Sequence, residues 1–179
     1  MQNLFIITGG PGAGKTTLLT ELQSRGFPCV PEVAREIIQE QVREGGSALP
    51  WNDRALFTQL MLERSIKSYQ VHSSADSPTF FDRGIPDSLS YAYLIGLSDK
   101  KDLQDACQRY RYATQVFVAS PWKEIYETDN ERKQDFAEAE QTWKQINQTY
   151  AQCGYELVKL PKTSPKLRAD FILEHLNLK

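Results

Sequence analysis

A glycine-rich segment near the start of the chain constrains the fold more than any other feature. Residues 9–16 read GGPGAGKT, which matches the phosphate-binding pattern GxxxxGK[ST] at every fixed position. Residues 4–8 before it (LFIIT) form an apolar run that is typical of a buried parallel strand. The segment after it carries leucines at helical spacing and stops at Gly26. This order of strand, turn and helix predicts a phosphate-binding loop (P-loop), the alternative being a similar turn without a ligand.

Each part of this motif has a chemical reason. Glycines let successive backbone N–H groups turn toward an anion, and the helix N-terminus adds further N–H groups and the positive end of its dipole. We expect Lys15 to contact the β- and γ-phosphates of a nucleoside triphosphate and the Thr16 hydroxyl to ligate Mg²⁺. The residues expected to bind the nucleotide are Gly9, Gly10, Pro11, Gly12, Ala13, Gly14, Lys15, Thr16 and Thr17.

The rest of the chain alternates between short apolar runs and segments of helical periodicity. Further strands are predicted at residues 28–30, 79–82, 115–118 and 155–160. A helix is predicted after each strand, including one over residues 33–43 and a long one capped by Asn52 or Asp53. Alternation of this kind indicates an α/β three-layer sandwich with about five parallel strands and helices on both faces. The length of 179 residues fits one domain.

Composition and charge argue against several classes of partner. The formal net charge is −2 and the Lys and Arg residues are scattered, so nucleic-acid binding is not expected. The apolar runs are far shorter than the roughly 20 residues that span a membrane. The three cysteines lack metal-ligand spacing and read as reduced thiols. The N-terminal residues lead straight into the first strand without a signal peptide, so the cytoplasm is the expected compartment.

Two acidic residues follow predicted strands and are candidates for chemistry. Asp82 ends the strand TFFD, where a carboxylate would lie beside the P-loop and hold Mg²⁺ directly or through water. Its alternative role is a cap or turn residue before Gly84. Glu32 follows the second strand and could orient, or accept a proton from, an acceptor hydroxyl, or else cap the next helix. Arg35, one turn further on, is a candidate for anchoring an anionic acceptor.

Five stretches follow one another along the chain: GGPGAGKTT, PEVAREII, FFDRGIPDSLSYAY, DNERK and residues 168–173. In these stretches, and so over most of its length, the chain resembles the AAA-domain family of small P-loop ATPases and kinases related to the ribosylnicotinamide kinase domain. The segment Asp82-Arg83-Gly84, with Asp87, Ser88 and Tyr91 beyond it, also resembles the DR motif of thymidylate kinase-like and deoxynucleoside kinase-like enzymes.

These resemblances imply roles for three further side chains or segments. Arg83 would contact the acceptor or a transferred phosphate, whereas the residue alone could equally be a surface arginine paired with a glutamate. Glu32 would serve as the base. Residues 121–135 would form a lid whose Arg132, or Lys133 in its place, neutralises charge on the transferred group; a solvated charge run would explain the same residues.

The motifs favour one function over the alternatives. No NKxD motif appears, which argues against a Ras-like GTPase, and no Asp-Glu pair ends the third strand to polarise water as in an AAA+ motor. We expect a Mg·ATP-dependent kinase that phosphorylates a nucleoside, nucleotide or similar metabolite, with residues 33–70 as its acceptor side. The alternative is a P-loop ATPase or nucleotide-dependent switch that acts through a protein partner. The acceptor and the oligomeric state stay open.

Overall fold

Strands and helices alternate along the part of the chain that the computed structural model describes, residues 3–125 and 136–178. The strands are β1 (Leu4–Gly9), β2 (Cys29–Val30), β3 (Thr79–Asp82), β4 (Gln115–Ala119) and β5 (Glu156–Lys159). The helices are α1 (Lys15–Ser24), α2 (Val33–Glu44), α3 (Arg54–His72), α4 (Ile85–Leu94), α5 (Lys101–Arg109), α6 (Phe136–Gln152) and α7 (Pro165–His175), with a 3₁₀ turn at Lys123–Ile125.

The five strands form one parallel sheet in the order β2-β3-β1-β4-β5. β1 therefore lies in the middle, with Ile7 beside Asp82 of β3 and Gly9 beside Ala119 of β4. Because all strands run the same way, their carboxyl ends meet at one edge, where ligands of open α/β sheets bind. The predicted α/β sandwich with a five-stranded parallel sheet is confirmed.

Alternate residues of the central strands feed two different cores. Ile6 and Phe81 pack on one face under α4, α5 and α6, whereas Ile7 and Phe80 pack on the other face under α1 and α7. Such strands are buried on both sides, which explains their unbroken apolar runs. A smaller cluster around Ile37, with Phe57 and Met61, joins α2 to α3 beside the sheet.

Hydrophobic periodicity predicted the helices well, but it overstated how much of each helix surface is buried. Asp53 is the cap of α3, since its Oδ1 accepts a hydrogen bond of 2.9 Å from the Leu56 N–H. Leu56, Val42 and Leu167 occupy apolar positions of α3, α2 and α7, yet they are 37%, 61% and 54% exposed. The pattern marks the apolar side of a helix, but the width of that side that a neighbouring element covers depends on tertiary packing.

The close approach of β1 to β4 predicts an unequal response to substitution of two glycines. A Cβ added to Gly9 would lie 2.3 Å from the Ala119 carbonyl oxygen, whereas one added to Gly26 would meet nothing within 4 Å. Gly9→Ala should therefore lower the free energy of unfolding by about 3 kcal/mol or more. Gly26→Ala, which meets only the strain of its φ of 90°, should lower it by about 1–2 kcal/mol. Equal losses in chemical denaturation would contradict this account.

Candidate active site

The P-loop joins β1 to α1 at the carboxyl edge of the sheet. Gly12 and Gly14 have φ values of 68° and 75°, a region that favours glycine and lets the loop turn its N–H groups inward. Lys15 is 4% exposed, and its Nζ donates to the carbonyl oxygens of Gly9 at 3.3 Å and Gly10 at 3.1 Å. The loop thus holds a buried ammonium group at its centre, which suits the binding of phosphate oxygens.

Arg168 of α7 supports the P-loop from behind. Its Nη1 donates to the Ala13 carbonyl at 2.9 Å and its Nε to the Pro161 carbonyl at 2.9 Å. The side chain is buried, which lowers the pKa of its guanidinium, and it lies 5.6 Å from the Trp122 ring. Both hydrogen bonds go to backbone carbonyls, and the one to Ala13 ties α7 to the P-loop.

Asp82 ends β3 beside the P-loop, and its carboxylate is suited to a cation. It is 8% exposed, and its Oδ1 finds no hydrogen-bond donor among the described residues. Burial raises the pKa of this carboxyl to about 6, although Lys15 counteracts the rise. A buried carboxylate oxygen without a donor is a good ligand for a hard cation such as Mg²⁺. The residues present therefore fit the expected metal, with Thr16 lining the same small pocket of about 340 Å³.

Arg83 occupies a strained backbone conformation that aims its side chain into the site. Its φ is 70°, uncommon for a non-glycine residue, and its N–H donates to the Ile7 carbonyl at 3.0 Å. Its Nε donates to Glu32 Oε1 at 2.8 Å and its Nη1 to Asp87 Oδ1 at 3.0 Å. Burial alone would lower the pKa of the guanidinium, but the carboxylates of Glu32, Asp87 and Asp82 raise it above its ordinary value. The cation is thus held between two acidic side chains.

The same ion pair determines what Glu32 does. Glu32 stands at the N-cap position of α2, but its side chain makes no capping hydrogen bond. Its carboxylate points instead to Arg83, and both side chains are only 18% exposed. The alternative in which Glu32 caps the helix is therefore not what its side chain does. Arg83 is paired with a glutamate, as the second interpretation of this residue from the sequence held. The pair lies at the carboxyl edge of the sheet, however, and not on an open surface.

A cavity of about 550 Å³ opens beside this ion pair. Its polar part contains Glu32, Asp82, Arg83 and Asp87, and Pro11 brings the P-loop to its edge. Aromatic and apolar side chains from α3, α4 and the segment before α3 line much of the rest, among them Trp51, Phe57, Met61 and Tyr91. A partly apolar cavity with a few convergent polar groups is the usual form of a small-molecule site.

The structure brings some of the predicted residues together and leaves others apart. Arg35, predicted to anchor an anionic acceptor, lines the cavity. Arg54 of α3 also lines it, whereas Arg64 of the same helix forms an ion pair with Glu40. Arg132 and Lys133 lie outside the described residues, so their expected role stays a prediction. The part of residues 121–135 that is described ends in the 3₁₀ turn at Lys123–Ile125.

From the sequence, Asp87 and Tyr91 entered only the resemblance to the DR motif, without a role, and the contribution of α6 to the cavity was missed. Asp87 and Tyr91 come from α4, and Gln141, Thr142 and Ile146 come from α6. Asp87 had a detectable signal, because an acidic residue just after Pro86 suits the first turn of a helix. The residues of α6 carried none, since polar positions on an amphipathic helix look alike whether they face solvent or a cavity.

Two features are absent from the described residues. None of the helices in residues 3–125 and 136–178 is long and apolar enough to cross a bilayer. Over the same ranges, no cluster of three or more His, Cys, Asp or Glu side chains could hold a metal ion by itself. Such a cluster is not needed for Mg²⁺, which usually takes one or two carboxylates and completes its shell with waters and substrate phosphates.

Comparison with known protein families agrees with the P-loop fold. Residues 4–168 match a family described as AAA domain. The chain belongs to this AAA-domain family. No curated protein matches the chain closely enough to count. By its P-loop and its strand order the chain is a P-loop NTPase, and a P-loop of this kind implies nucleotide binding.

Solved structures show the same fold. A NadR protein in complex with NR aligns with a TM-score of 0.73 and 19% identity over 99% of this chain. The chain spans about half (52%) of the length of that protein. Thymidylate kinase from Candida albicans gives 0.65 and 14% identity, covering 98% of this chain and 92% of the kinase. Deoxyadenosine kinase from M. mycoides with bound dATP gives 0.55 and 15% identity, covering 97% and 99%. At these identities the likeness establishes the kinase-like fold alone.

The raised pKa of Asp82 predicts a pH-dependent effect of Asp82→Asn on the metal-free protein. A carboxyl with a raised folded pKa contributes stability below its unfolded value of 3.8, and that stability is lost as the pH rises through about 6. Asp82→Asn should therefore raise the free energy of unfolding at pH 8 by about 1–3 kcal/mol and change it little at pH 4. Denaturation in EDTA at both pH values measures the difference. An equal increase in the free energy of unfolding at pH 4 and at pH 8 would contradict the destabilising burial of the Asp82 carboxylate charge.

Proposed function

We propose that the chain is a Mg·ATP-dependent phosphotransferase that phosphorylates a nucleoside, a nucleotide or a similar small metabolite. The observation that carries this proposal is the shared cavity. Pro11 of the P-loop, Asp82 and the Glu32–Arg83 ion pair all line one space of about 550 Å³. A hydrolase or switch needs room only for water beside the γ-phosphate, whereas a kinase needs a pocket of metabolite size there.

The chain's own residues would bind and orient ATP at the P-loop. The loop N–H groups and the N-terminus of α1 would surround the phosphates, and Lys15 would contact the β- and γ-phosphate oxygens. Thr16 and Asp82 would hold Mg²⁺, which when bound neutralises negative charge on the phosphates. Because catalysis of phosphoryl transfer is largely positioning and charge stabilisation, these contacts supply much of what the reaction requires.

The acceptor would enter from the side of α2, α3 and α4. Glu32 would accept the proton of an acceptor hydroxyl as the hydroxyl oxygen bonds to the γ-phosphorus and the bond to the β-phosphate oxygen breaks, releasing ADP. Arg83 would hold the Glu32 carboxylate in place, and Arg35 and Arg54 line the cavity where an anionic group of the acceptor could bind. Arg132 is proposed to neutralise charge on the transferred group.

The proposal predicts that one class of metabolite accelerates ADP release. ADP formation from Mg·ATP would be measured with pooled nucleosides, nucleoside monophosphates or sugars and without them. At least one pool should accelerate release, and Lys15→Ala should lower the accelerated rate by about 100-fold or more because it removes a phosphate contact. Lys67→Ala, the same change of charge at an exposed position of α3, serves as the matched control and should leave the rate unchanged.

The outcomes separate the proposed kinase from its alternative. Acceleration that depends on Lys15 but not on Lys67 supports a kinase, and dividing the active pool identifies the acceptor. Slow release that no pool changes would contradict the kinase and favour an ATPase or a nucleotide-dependent switch acting through a protein partner.

A further inference from the structure

We propose that Asp87 is the positioning residue of this site: it fixes Arg83, and through Arg83 it fixes the Glu32 carboxylate. The inference deepens the proposed function and rests on it, because the group that Asp87 positions is the one assigned to the acceptor. It is drawn from a network of hydrogen bonds that joins β1, the turn before α4 and α6 at one carboxylate.

The Asp87 carboxylate accepts hydrogen bonds from four donors. Its Oδ1 accepts from the Thr8 hydroxyl at 2.6 Å and from Arg83 Nη1 at 3.0 Å. Its Oδ2 accepts from the Gly84 N–H at 2.9 Å and from the Tyr150 hydroxyl. With two donors on each oxygen, the carboxylate is occupied by the protein itself. Although Asp87 borders the cavity, it is therefore suited to hold other side chains and not to bind the acceptor.

The donors come from rigid and separate parts of the fold. Thr8 is the buried β1 residue directly before Gly9, the first glycine of the P-loop. Tyr150 is fully buried in α6, where burial and then Asp87 raise the pKa of its phenol, so it stays protonated and donates. A residue that served only to cap α4 would need the Gly84 N–H alone. The other three donors indicate a further role.

That role follows from the geometry of Arg83. One donor of its guanidinium, Nη1, binds Asp87, and a second, Nε, binds Glu32 Oε1 at 2.8 Å. A φ of 70° at this residue costs energy and persists only where the surroundings over-determine it. The interaction with Asp87 supplies one of those constraints. Without it, the guanidinium and the Glu32 carboxylate bound to it would lose their common orientation.

Three variants separate positioning from simple stabilisation. Asp87→Asn keeps the shape but replaces one acceptor oxygen with an N–H donor that faces other donors. Tyr150→Phe removes only the hydroxyl that binds Oδ2. Leu89→Ala is the control, because Leu89 is a buried residue of the same helix that destabilises when truncated but neither lines the cavity nor joins the network.

The kinetic arm uses the metabolite pool that accelerates ADP release. Asp87→Asn should lower kcat by about 10- to 100-fold, the usual cost of misplacing a reacting group. Tyr150→Phe should lower it by about 3- to 10-fold, as expected for one lost hydrogen bond. Both should bind Mg·ATP as the wild type does. Leu89→Ala should lower Tm without lowering kcat. The proposal would be overturned if kcat fell in Leu89→Ala in step with its loss of Tm, and fell there as far as in Asp87→Asn.

A second arm reads the position of Arg83 without any acceptor. In protein labelled with ¹⁵N-arginine, the Arg83 Nε–H signal, assigned by its loss in Arg83→Lys, should be protected from exchange with water in the wild type and Leu89→Ala. It should lose that protection in Asp87→Asn. If the Arg83 Nε–H signal stayed protected in Asp87→Asn, the proposal would be overturned, even if no metabolite pool provided an acceptor for the kinetic measurement. If no pool accelerates ADP release but the signal behaves as expected, the proposed kinase fails while the positioning of Arg83 stands.

Discussion

Parallel pairing of β1 with both β3 and β4 is the constraint on which the site depends. It places Ile7 beside Asp82 at the end of β3, and Gly9, where the P-loop begins, beside Ala119 at the end of β4. The approach is so close that a side chain at Gly9 would collide with the Ala119 carbonyl. A phosphate-binding loop, a buried carboxylate and the acceptor cavity are therefore neighbours because of the sheet, before any side chain contributes.

Buried charge gives this edge its chemical character. Lys15 lies inside the P-loop, Asp82 retains an oxygen without a donor among the described residues, and Arg83 lies between Glu32 and Asp87. Charges removed from water are costly unless they are paired or bind a ligand. The ion pairs account for Arg83, Glu32 and Asp87, whereas the Asp82 oxygen would gain a partner in the cation that we propose it binds. This contrast is the physical argument for assigning metal binding to Asp82 and positioning to Asp87.

Much of the fold and part of the site could be predicted from sequence. The GGPGAGKT segment, flanked by a buried strand and a helix, predicted the P-loop, and apolar runs predicted the five strands because a parallel sheet buries both faces. Glu32 and Asp82 could be selected because they lie at strand ends, and Arg83 because its segment resembles the DR motif. The hydrogen bond from Tyr150 to Asp87 could not be predicted, since residues 63 positions apart meet only through tertiary packing. The side of α6 that lines the cavity could not be predicted either, because nothing in the local sequence distinguishes a helix face that lines a cavity from one that faces solvent.

The destination of the γ-phosphoryl group tests the central claim most directly. Mg·ATP labelled at the γ-position would be incubated with the protein and each metabolite pool, and the labelled products separated. The account predicts label on an organic acceptor, and far less of it with Glu32→Gln, which can still accept the Arg83 hydrogen bond but is a poor proton acceptor. Label recovered only as inorganic phosphate, at the same rate with every pool and in both proteins, would contradict a kinase and leave a nucleotide hydrolase in its place.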